Sequence, residues 1–123
     1  MVVGVCRLQL FLAGNESLKG KRAVVRSLLG RVRAKFNVAA AEVGELDAHE
    51  HAELAFAVVS NDARHANAML DTIAAFCEHN ADAQVASVHV ELVPMSKSVG
   101  APMIEPDSLP EAWRTGGGGE GSD

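Results

Sequence analysis

Along residues 1 to 93 the spacing of apolar side chains switches between two and about 3.6, and the order of those switches leaves few folds open. Residues 2 to 12 alternate: Cys6, Leu8, Leu10 and Leu12 share one face, Arg7 and Gln9 the other, as in a half-buried strand. The break Ala13-Gly14-Asn15-Glu16 follows, with Ser17 as a helix N-cap. Leu18, Val25, Leu28, Leu29, Val32 and Phe36 then fall on one side of a helix, which Asn37 can end. Residues 38 to 43 read as a second strand and residues 44 to 50 as a polar connection. Alternation returns at 52 to 59, with Leu54, Phe56 and Val58 facing inward. Ser60-Asn61-Asp62 supplies the next N-cap, and the helix after it buries Ala66, Met69, Leu70, Ile73, Phe76 and Cys77. Residues 84 to 93 form a fourth strand, with Val88, Val90 and Leu92 set against Ser87, His89 and Glu91.

The order β-α-β-β-α-β, with right-handed crossovers, predicts an α+β, ferredoxin-like sandwich. Two helices cover one face of a four-stranded antiparallel sheet. Leu8, Leu10, Leu28, Val32, Leu54, Phe56, Leu70, Ile73 and Val90 are expected to share its core. The polar alternates Arg7, Gln9, Glu42, Glu53, His89 and Glu91 are expected on the uncovered face. Pro94 closes the domain, giving boundaries of 1–94. Residues 95–123, rich in Pro, Gly and Ser, read as a disordered acidic tail in which Trp113 is the chain's one tryptophan.

A length of 123 residues fits one domain. Cys6 and Cys77 form neither a CxxC pair nor a disulfide framework, and buried free thiols in a reducing compartment are expected. The apolar start lacks a basic leader and is too short to cross a membrane, so a cytoplasmic protein with no membrane partner is expected.

Charge is distributed less evenly. Residues 17 to 36 hold seven of the eleven Lys and Arg residues and no acid, although the chain carries −5 overall. The tail beyond residue 98, with five acids and one arginine, accounts for −4 of that total. Lys19, Arg22, Arg26 and Arg33 fall within an arc of roughly 60° beside the apolar stripe. Lys19, Lys21 and Arg22 also occupy the first turn, where the helix dipole disfavours cations and favours phosphate. A solvated helix face normally interleaves Glu with Lys. A polyanion-binding stripe of Lys19, Lys21, Arg22, Arg26 and Arg33 is therefore the favoured reading.

Ser17-Leu18-Lys19, Lys21-Arg22, Phe36-Asn37-Val38, Ala41-Glu42-Val43-Gly44 with Asp47, and Ala57-Val58-Val59-Ser60-Asn61-Asp62 occur in order. Together these residues resemble the YlxP-like family of small bacterial proteins of unassigned function, over about residues 1 to 93. The resemblance implies a ferredoxin-like fold and genes placed near translation initiation and ribosome maturation factors. Gly20 departs from the family's usual Glu, and Ala48-His49-Glu50-His51 stands where an aromatic often follows Asp47.

Other chemistry finds less support. An RNA-recognition motif needs sheet-face aromatics, which this chain does not place at Arg7, Gln9, Glu53, Ala55 or Ala57. The loop Leu12 to Ser17 has one Gly and no Arg, unlike an acylphosphatase phosphate cradle. Asp47, His49 and His51 have ligand-like spacing, but no Cys or further His joins them, and a plain loop is the better reading. No catalytic residue, metal or cofactor is assigned. The expectation is a non-enzymatic protein bound to ribosomal RNA or a ribosome-assembly factor through its first helix. The alternative is a homo-oligomerising (homodimer) or small-ligand-binding regulatory module using the open sheet.

Overall fold

The alternation at the start of the chain becomes β1 (Val2–Phe11), an inner strand whose even-numbered side chains are buried from Val2 through Leu10. A computed structural model describes residues 1–95. Residues 96–123 lie outside the described residues, and with them the expected acidic tail and Trp113. The remaining elements are α1 (Leu18–Lys35), β2 (Ala39–Gly44), β3 (His51–Ser60), α2 (Ala63–Asn80) and β4 (Gln84–Pro94). The sheet order is β2-β3-β1-β4, with every neighbouring pair antiparallel. This is the α+β ferredoxin-like arrangement, both helices lying on the face formed by Cys6, Leu8, Leu54 and Phe56.

Both helices begin where side-chain chemistry directs. Ser17 Oγ accepts from the Gly20 N–H at 3.0 Å, and Asp62 Oδ1 accepts from the Arg64 N–H at 3.0 Å. Each cap satisfies an amide that has no partner within the helix. Helix α1 buries Val25, Leu28, Leu29 and Val32; α2 buries Ala66, Leu70, Ile73, Ala74 and Cys77. Their stripes meet the sheet face in one cluster, where Cys6, Leu8, Leu10, Leu28, Val32, Leu54, Phe56, Leu70 and Ile73 have no exposed surface. Gly4 lets α2 come close to β1: a methyl there would meet Leu70 Cδ1 at 2.9 Å. Among the described residues no helix is long and apolar enough to cross a membrane.

Two expected placements need correction. Val90 faces the helix side, opposite Cys6, but remains 38% exposed. It sits on the edge strand, where α2 covers the pleat only in part, over Val85 and Leu92. Glu42 is not on the uncovered face. Its register partner is Leu54, so it points to the helix side, and Lys21 meets it there. The uncovered face carries Arg7, Gln9, Glu53, His89 and Glu91 with Val3, Val5, Ala55, Ala57 and Val59. Phe11 ends the same row, its ring centroid 5.4 Å from that of His51.

Candidate nucleic-acid interface

Helix α1 sorts its cations by position on the wheel. Lys21 stands three residues after Leu18 and four before Val25, inside the apolar stripe. When that stripe turns toward the sheet, Lys21 goes with it and is 1% exposed. Its ammonium lies beneath the β2–β3 connection. It donates to the carbonyl oxygens of Glu45 at 2.6 Å and His51 at 3.1 Å, with Leu46 O farther away at 3.4 Å. Glu42 Oε2 stands 3.1 Å from the same nitrogen and has no hydrogen-bonding contact of its own. The hydrogen bonds of Nζ thus run to backbone carbonyl oxygens, and Glu42 adds its charge at ion-pair distance. Lys21 was expected in the polyanion-binding stripe. Its burial removes it, because no phosphate can reach a charge already enclosed by backbone and carboxylate.

The other four expected residues, Lys19, Arg22, Arg26 and Arg33, are exposed along one side of α1. The same side runs about 21 Å from residue 19 to residue 33 at 1.5 Å per residue. Arg33 donates through Nη2 to the Ala40 carbonyl, which anchors its guanidinium beside β2. Arg31, around the helix, donates to Ser27 Oγ at 3.1 Å. Lys35 Nζ lies 5.6 Å from the Phe76 ring centroid, within cation–π range. Among the described residues no carboxylate comes within ion-pair distance of any of these six cations; the ion pairs present use Arg7 with Glu53 and Lys21 with Glu42.

The helix start is less open to phosphate than the sequence suggests. Ser17 occupies the Gly20 N–H, and the Lys21 N–H bonds the Ser17 carbonyl at 3.1 Å. Asn15 Nδ2 donates to Ser17 O at 2.8 Å and His49 O at 2.6 Å, joining the loop to the cap. A side chain at Gly20 would collide with this arrangement, since its Cβ would lie 2.5 Å from Asn15 Oδ1. Beside the cap, Asn15, Glu16 and residues 47–51 line an open cavity of about 520 Å³. The carboxylates of Glu16, Asp47 and Glu50 make it a poor anion site. Glu50 is partly engaged, accepting from the Gly14 N–H at 2.9 Å. Asp47, His49 and His51 all line this cavity, and no trio of His, Cys, Asp or Glu among the described residues converges to hold a metal.

Both thiols are buried in the core. Burial raises the pKa of Cys6, with Asp71 adding a smaller push. Burial first, then Cys6 and Glu78, pushes Cys77 up to about 12. Neither forms an activated thiolate near neutral pH.

Comparison with known proteins places the fold in a family. Residues 3–90, from β1 into β4, match the model of a family described as "Protein of unknown function (DUF503)". The chain is also similar to the "Uncharacterized protein YlxP" of Bacillus subtilis (strain 168). The two are 31% identical over 77 residues, which cover 63% of this chain and 84% of that protein. The match takes in both helices, the cap at Ser17 and the β2–β3 connection, and the chain belongs to the DUF503 family of proteins of unknown function.

Proposed function

We propose that this protein is a non-enzymatic, cytoplasmic RNA-binding protein, associated with the ribosome or its assembly through the exposed side of α1. The observation that supports the reading is the row of exposed cations Lys19, Arg22, Arg26 and Arg33, none within ion-pair distance of a carboxylate among the described residues. The contact is made by side chains along the helix. The helix start contributes little, because its cap is filled and carboxylates stand beside it. Resemblance to a family encoded near translation factors points in the same direction.

Binding of this kind weakens steeply with salt, because each neutralised phosphate releases counterions. Co-sedimentation with ribosomal subunits across a salt series tests it. Replacing Lys19 and Arg22 by Gln should flatten the slope of log affinity against log salt by roughly one unit per lost contact. A wild-type protein that stays in the supernatant even at low salt would reject the reading. The second reading is an oligomerising or ligand-binding module on the open sheet. It draws on the apolar row Val3, Val5, Ala57 and Val59, of which Val59 is 67% exposed.

A further inference from the structure

Strand β4 is an outer strand of the sheet, and little in its sequence guards that edge. An edge strand presents unpaired N–H and C=O groups, which proteins usually protect by shortness, Lys, Pro, bulges or inward charges. The opposite edge, β2, is six residues long, carries a register shift between Glu42 and Gly44, and turns Glu42 inward. Strand β4 is eleven residues long and contains no Lys or Arg. Its one irregularity lies near its start, where Gln9 faces Ser87 but Leu10 faces Val85, leaving Ala86 as the extra residue. From Ser87 to Val93 the pairing is regular. On the helix side of this stretch Val88 and Val90 are 37% and 38% exposed, although their β1 partners Leu8 and Cys6 are fully buried.

We propose that a second copy of this chain pairs with β4, antiparallel and two-fold symmetric, joining two four-stranded sheets into one. Residues directly opposite across such a pair must point to the same face, so the axis passes beside a single residue. The midpoint of the regular stretch is Val90. In this register Val90 meets the partner's Val90, and Val88 meets the partner's Leu92, covering the exposed helix-side row. On the other face His89 falls opposite the partner's Glu91, and Glu91 opposite the partner's His89. Neither side chain has an ion-pair partner among the described residues of one chain. The strand is therefore complementary to itself, apolar against apolar on one face and imidazole N–H against carboxylate on the other. This inference is independent of the RNA-binding reading, since α1 lies away from the β4 edge.

The test is the mass of the full chain by light scattering from about 1 to about 100 µM, a range that brackets a micromolar dissociation constant. A doubled mass at the upper end is expected. His89→Glu places like charges opposite each other and should return the chain to monomer; combining it with Glu91→Lys should restore the dimer. Val90→Cys should cross-link under mild oxidation, because opposing residues in an antiparallel pair have Cα atoms about 4.5–5.5 Å apart, within disulfide reach. The native thiols are fully buried and give no background. Val59→Cys, exposed on the open face, should not cross-link. A monomer throughout the range overturns the proposal, leaving the edge free or taken by the chain's own tail. A dimer indifferent to His89→Glu overturns it too. Cross-linking through Val59→Cys as readily as through Val90→Cys would show that open faces meet instead.

Discussion

Two lysines two positions apart, Lys19 and Lys21, have opposite surroundings, and substitution should separate them. Lys21→Met keeps an unbranched apolar stem but removes the ammonium that Glu42, Glu45 O and His51 O share. Breaking a buried ion pair from one side strands the other charge, at a cost of about 3–5 kcal/mol. Lys19→Gln, on the exposed side, should stay within about 0.5 kcal/mol of wild type. Urea unfolding midpoints measure both. If Lys21→Met were as mild as Lys19→Gln, the buried clamp would have no energetic weight. The signal for Lys21 is present in the sequence as its spacing from Leu18 and Val25. It is masked because charge argues for exposure, and because the oxygens that enclose it are backbone atoms of a connection 24 to 30 residues away.

Whole elements were easier to read than the facing of individual residues within them. Helix α1 announces itself through Ser17 and a stripe with helical period, and Leu28 at its centre has no exposed surface. Leu28→Ala should therefore cost about 2–5 kcal/mol, the range for large-to-small changes in a core. Thermal or denaturant unfolding checks it, and a loss under about 0.5 kcal/mol would put that face outside the core. Strand β2 resists such reading, because Ala39-Ala40-Ala41 has no polar alternation to fix its facing, and Glu42 turns inward to meet Lys21. In β4 the alternation correctly sets Val88 and Val90 on the helix side. It does not report that an edge strand lies beyond full helix cover.

Across the whole molecule the net charge misleads. The chain carries −5, yet one side of α1 displays a row of cations, so an approaching polyanion meets a local field and not the total. Position should then decide which cations matter. Arg7, paired to Glu53 on the open sheet at 3.2 Å, and Arg64, at the start of α2, lie off the stripe. Arg7→Gln and Arg64→Gln should leave the salt slope of RNA binding unchanged, while Lys19→Gln with Arg22→Gln lowers it. Equal effects from all four would mean that binding follows total charge alone. The overall topology was legible because six periodic segments in this order admit few arrangements. Four of the five expected binding residues are exposed on α1. The fifth is Lys21.

The enclosure of Lys21 also bears on the order in which the chain assembles. Its ammonium gains its oxygens only when α1, the turn at Glu45–Leu46 and the start of β3 have already come together. Until then water solvates the charge better than any partial set of carbonyls. The clamp should therefore close after the rate-limiting step. In stopped-flow chevrons, Lys21→Met should raise the unfolding rate by roughly two to three and a half orders of magnitude while leaving the refolding limb almost in place. A refolding rate that falls by a similar factor would put the clamp inside the folding nucleus.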